Sequence, residues 1–289
     1  MGTHPVGSDC AVSEECRVPR VVRYMRKGRV MVRRSVNEFA YAHARIRGRI
    51  GDMPEAREWQ QIVNAGDLET TIETMSGAGL HYWVSDFPRH PSAGEIERAC
   101  LVSLLGVLLF TARLIPERWT DTGQWLLQLP HVLQLRMVQS PDLEKKQLLP
   151  GSPFLSVIEM PAEQRYKALK DSDYGAYLGQ QAPPESCWAM QLERKLPLLD
   201  ASERHAIARL RGLLEQHTRA MRADMAPAQI WMERSALFER LKALLAGDPF
   251  QVITLLIYAV LESIQFERVR AVLLLRAYKW PAQLLGGLN

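Results

Sequence analysis

No uncharged apolar run in these 289 residues reaches the roughly 18 that a membrane-spanning helix needs. The longest, 99–112 and 250–261, have the length of buried core helices. Cysteine is scarce: Cys10, Cys16, Cys100 and Cys187 form no CxxC and no metal-binding spacing, which removes a disulfide scaffold and a zinc module from consideration. The start is polar and then basic, with no apolar core of a secretory signal. A cytoplasmic compartment is the expectation. Strand signals are also missing: no period-2 run lies between hairpin turns. The phosphate-binding loops GxxxxGK[ST] and GxGxxG, the nucleophile elbow GxSxG, the zinc motif HExxH and the kinase motifs do not occur. The seven histidines never pair at helical i,i+3 or i,i+4 spacing. Asp171 and Asp173 in DSDY lack the spacing of an aspartate-rich metal box and read as loop or cap residues. No catalytic residue, cofactor or metal is expected.

What the chain does have is helix grammar. Residues 35–50, SVNEFAYAHARIRGRI, put Val36, Phe39, His43, Ile46 and Ile50 on one face. His43 there reads as a core or interface histidine. A short helix follows over 55–65. Asp67 caps another that reaches about Ser76, and Gly77 and Gly79 break the chain before LHYWVSDF. Ser92 and Glu95 form a capping box that opens a long apolar helix to about Ile115. A helical pattern over 119–139 is interrupted by Pro130, and LLPGSP at 148–153 is a connector. Asp200 and Glu203 form a second capping box for a helix running to about Met225. Pro227 suits the first turn of the next, which ends near Gly247. Asp248-Pro249 opens a closing helix that stops at Trp280-Pro281. The tryptophans, among them Trp83, Trp119, Trp125, Trp188, Trp231 and Trp280, do not interleave with basic residues as a nucleic-acid platform would.

Charge is uneven. The net charge is +4, but residues 17–34 hold Arg17, Arg20, Arg23, Arg26, Lys27, Arg29, Arg33 and Arg34 with no acid, so the rest of the chain sums to −4. Such a run reads as a solvated, disordered arm, or as a contact for nucleic acid or an anionic membrane. Met31 inside it is an alternative start. In the closing helix, Ile257, Leu261, Ile264, Ala271, Val272 and Leu275 share a face with Arg268 in its middle. A guanidinium there either snorkels to water, pairs with a carboxylate of another helix, or meets a partner protein.

Two segments resemble the C/d family of V-type ATPase components, in its bacterial and archaeal form with a basic N-terminal extension. The first is 39–84, with the A-R-x-R motif Ala44-Arg45-Ile46-Arg47 and a helix from Leu68 toward Tyr82. The second is 247–288, where Val269-Arg270-Ala271-Val272-Leu273, Arg276, Lys279 and Pro281 follow in the family's order. Residues 85–180 match weakly, with Leu135-Arg136-Met137-Val138 as the one arginine-bearing repeat. The resemblance implies an arm over 1–34 and an all-α domain over 35–289. That domain would have three lobes, roughly 35–115, 116–199 and 200–289, forming a funnel with pseudo-threefold repeat, its middle lobe divergent and its terminal helices packed together. It implies a non-catalytic rotor adaptor on the cytoplasmic face of the membrane, with the proteolipid c-ring and the D and F components of the central stalk as partners. Membrane contact would be indirect, with no nucleic acid bound. Arg45, Arg47, Arg268 and Arg270 would be interface or helix-packing charges. Against this stands an unrelated all-α chain, either a binding protein using the basic arm or an enzyme with no recognisable motif.

Overall fold

The computed structural model describes residues 36–138, 148–178, 188–189, 191–199, 201–220, 225–247 and 253–281. By its contacts the chain divides into 1–30 and 31–289, and all described residues belong to the second unit. The basic arm, Met31, the Asp200 cap, the Asp248-Pro249 start and the apolar tail after Pro281 lie outside the described residues.

Regular structure among the described residues is entirely helical, with no strand. The first helix, α1, spans Val36–Gly51, and α2 spans Ala56–Asn64. In α2, Glu55 and Glu58 close a capping box. The third helix, α3 (Leu68–Met75), begins where the Asp67 carboxylate accepts from the Thr70 amide at 2.8 Å. The glycines beyond it kink the chain rather than ending its helical course. A widened turn over Ser76–Leu80 leads into α4 (His81–Val84), and the kink falls on Ala78 and Gly79. Gly79 has φ +78°, and a Cβ there would stand 2.2 Å from the Asp52 carbonyl oxygen, so only glycine fits.

Ser92 and Glu95 cap α5 (Ala93–Leu114) as the S-x-x-E pattern predicts. The next helix, α6 (Thr120–Val138), passes straight through Pro130. Two contacts hold it on the N-terminal side of that residue. Trp125 and Trp188 stack at 3.8 Å with their planes 3° apart, and each indole N–H donates to the other's carbonyl, at 3.1 and 3.0 Å. The Thr122 hydroxyl donates to the Lys195 carbonyl at 2.6 Å. Short helices α7 (Leu155–Ile158) and α8 (Ala162–Lys170) follow. With Val132, Leu135 and Val138 of α6, they enclose a small hydrophobic cluster around Phe154, Leu169 and Tyr177.

The last three helices are α9 (Ala201–Ala220), α10 (Pro227–Gly247) and α11 (Ile253–Ala277). The α9 helix is described as far as Ala220, and Met225, near which its sequence pattern runs out, is not helical. Glu203 is turned inward to an ion pair with Arg118. The α10 start is fixed by Pro227 and by the Gln229 amide oxygen, which accepts from the Ala226 N–H at 3.1 Å.

The centre of the unit is α11. It packs most extensively on α5 and also on α1, α3, α9 and α10. Of its 25 residues, 17 are buried, so no single stripe describes it. Each buried Leu, Ile or Val there stabilises the fold by about 1.5–3 kcal/mol. This large cluster draws on residues from Ala42 to Leu275, and the Cys100 thiol lies within it, fully buried.

Candidate functional site

The four arginines take four different positions. Arg268 is 5% exposed. One Nη donates to the Ser235 hydroxyl of α10 at 2.8 Å. The guanidinium lies over the rings of Phe238 at 5.0 Å and Trp59 at 5.5 Å. Among the described residues no acid is within ion-pair distance, and Nε has no partner. Burial pulls its pKa down to about 10, with Glu239 pulling the other way, so it stays charged near neutral pH. Aromatic faces carry the cation here.

Arg270 lies on the opposite side of α11, toward α5. It grips Glu97 through Nε and Nη2, both at 2.5 Å. Glu267 adds its carboxylate at 3.7 Å from Arg270 and 3.9 Å from Arg234, whose guanidinium lies 4.7 Å from the Trp231 ring. The result is a charge string from α5 across α11 to α10. Burial opposes the charge on Arg270, but the Glu97 bonds outweigh it and raise its pKa.

Arg47 is exposed and donates to the Leu245 carbonyl at 3.2 Å, one of the last free carbonyls of α10. It is a side-chain cap on that helix end. Arg45 is exposed and stands over Tyr41 at 5.9 Å and Phe110 at 5.8 Å.

The most buried constellation was not singled out in the sequence. Glu262 of α11 is fully buried. The Tyr82 hydroxyl bonds its two oxygens at 3.0 and 2.8 Å, and Tyr258 stands one turn before it on α11. Arg49 of α1 donates to the Tyr258 oxygen at 3.4 Å and lies 4.0 Å above Phe110 and 5.7 Å from Tyr82. Burial raises the Glu262 pKa against the pull of these bonds, and burial likewise pushes both tyrosines up. The available signal was one acid inside the run LIYAVLESIQF, a residue type almost never fully buried without partners.

Within the fold, aromatic and basic groups alternate: Tyr41, Arg45, Phe110, Arg49 and Tyr82 form a ladder from the surface to Glu262. Its arginines come from α1, Phe110 from α5 and Tyr82 from α4, so no local spacing displays it.

An open cleft of about 480 Å³ lies beside the end of α1, lined by Gly51, Asp52, Met53, Glu55, Glu58, Ala78 and Gly79. Among the described residues no group of three His, Cys, Asp or Glu side chains is placed to hold a metal ion. No helix among them is long and apolar enough to cross a membrane. No family model, no curated protein and no solved structure matches the chain.

Proposed function

We propose that the chain is a non-catalytic rotor adaptor of a V-type, proton- or sodium-translocating ATPase. It would couple the D and F components of the central stalk to the proteolipid c-ring at the cytoplasmic face of the membrane. In this reading the all-helical body is arranged as three lobes around a funnel, with the small cluster around Phe154 belonging to the divergent middle lobe.

One observation carries the proposal. The two segments that resemble the C/d family, 39–84 and 247–288, meet on each other: Arg49 bonds Tyr258, Tyr82 bonds Glu262 and Arg276 bonds the Val63 carbonyl. An adaptor that passes torque must resist shear between its elements. Buried, directional bonds between distant segments supply that resistance better than apolar contact alone, because they fix register.

The test is a tagged pull-down from detergent-solubilised membranes of the native host, read by mass spectrometry. Recovery of the proteolipid ring with the stalk components is the expected result. Recovery of the chain alone, or with nucleic acid that nuclease removes, would end the reading.

A further inference from the structure

We propose that residues 152–178 form a flap that acid lifts off α6, with the His131 imidazole as its proton sensor. The small cluster around Phe154 is set apart from the large one by α6 itself. That helix turns Leu126 and Leu129 to the large cluster, and Val132, Leu135 and Val138 to the small one. The flap is moored on both sides: Leu149 before it is buried in the large cluster, and Trp188 after it packs on both. Between Leu149 and Ser152 stands Gly151 at φ +73°, where glycine permits the backbone change that a hinge needs. Small units moored in this way open before the whole fold does.

Three α6 side chains at i, i+3 and i+6 carry polar and aromatic ties to the flap. The Gln128 amide oxygen accepts from the Tyr177 hydroxyl at 2.6 Å. That of Gln134, fully buried, accepts from the Ser152 hydroxyl at 3.3 Å. Between them His131 meets Phe154 and Tyr174 edge to face, with ring centres 6.5 and 6.2 Å apart. Its Nδ1 is buried and has no hydrogen-bond partner among the described residues. A neutral imidazole suits that position, because Nδ1 can be the nitrogen without a proton. An imidazolium must place an N–H there with nothing to accept it. Burial accordingly holds the His131 pKa below 6.5, against a pull from Gln134. The hold on the flap is complete above 6.5 and is lost as pH falls through the lower, folded value.

The described charges around His131 do not offset its proton. Residues 148–158, which include α7, contain no ionisable side chain. In the turn after α8, burial keeps Tyr174 and Tyr177 neutral by raising their pKa, while Asp171 and Asp173 are exposed. On α8 the Arg165 guanidinium is taken by the Ile158 and Met160 carbonyls, and Glu163, Lys167 and Lys170 are exposed. On α6 itself Asp121 stands nearly three turns away. The turn with Lys195 meets α6 at Thr122, and α5 packs on the side of the large cluster. Release would uncover Val132, Leu135 and Val138, all fully buried when the flap is closed. The inference does not rest on the ATPase reading.

The experiment is hydrogen–deuterium exchange of the full chain at pH 7.5 and pH 5.5, read by mass spectrometry, with labelling times scaled for the intrinsic exchange rate. Protection over 152–178 should fall at least about fivefold at the lower pH, while α5 and α11 keep theirs. His131→Phe keeps a ring and gains no proton, so its flap should stay protected at both pH values. His131→Gln repeats the test should the phenylalanine variant not fold. Loss of protection spread over the whole chain at pH 5.5 overturns the proposal. So does a flap indifferent to pH, or a pH response that persists without the imidazole.

Discussion

The hydroxyl of Tyr82 bonds both carboxylate oxygens of Glu262 across 180 residues of chain, with the carboxylate fully buried. That pairing ties the turn region after α3 to the middle of α11. It also makes the fold sensitive to the proton on one side chain.

The sign of that sensitivity follows from burial. The Glu262 pKa is raised in the folded protein above its usual 4.5, so the fold favours the protonated acid. Its contribution to stability is complete below that value and is lost as pH rises through the folded pKa. Glu262→Gln keeps a bonding group of the same shape and removes the titration. Urea unfolding of both proteins from pH 5 to pH 8 should show the variant gaining on the wild type as pH rises. A stability difference independent of pH would show that Glu262 does not titrate on unfolding.

Arg270 and Arg268 should respond unequally to Arg→Met. Losing Arg270 strands the Glu97 carboxylate, only 17% exposed, and should cost about 2 kcal/mol. Adding Glu97→Gln should recover most of it. Losing Arg268 strands only the Ser235 hydroxyl and removes a buried, unpaired cation, so the change should stay within about 1 kcal/mol. Chemical denaturation of the three variants settles the contrast, and equal losses for the two arginines would refute it.

Two glycine substitutions should move stability in different directions. Gly79→Ala adds a Cβ 2.2 Å from the Asp52 oxygen at φ +78°, and should destabilise by more than about 1 kcal/mol. Gly48→Ala, inside α1 with open space around it, should stabilise by about 0.5–1 kcal/mol. Melting temperatures read both, and a tolerated Gly79→Ala would place the kink elsewhere.

The stacked Trp125–Trp188 pair should give coupled near-ultraviolet circular dichroism. Trp188→Phe keeps a ring but loses the indole bond to the Trp125 carbonyl. The coupled signal should vanish and stability should fall by about 1–2 kcal/mol. An unchanged spectrum would mean the rings are not stacked in solution.

Features written in a few adjacent residues were readable in advance. The Ser92–Glu95 box, the Asp67 cap and the Pro227 start are chemistry of one turn, and each stands where its pattern put it. What escaped depended on distant chain. Pro130 looks like a break, but the helix on its N-terminal side is held by Trp188 and Lys195, and that on its C-terminal side by the cluster around Phe154. Arg268 sits on an apolar face, as its spacing indicates, but its cushion of Trp59 and Phe238 comes from two other helices. The contact of Arg45 and Arg49 with Phe110 likewise joins two helices that no local period connects.

The enclosure of α11 on every side has a consequence for biosynthesis. This helix is the last of the described elements to leave the ribosome, but α1, α3, α5, α9 and α10 all close upon it. Until it emerges, the faces that these helices turn toward it have nothing to bury against and stay open to solvent. Completion of the core therefore waits on contacts between residues far apart in the chain, which slow folding. A nascent chain that stalls before Ile253 would be a substrate for chaperones or proteases.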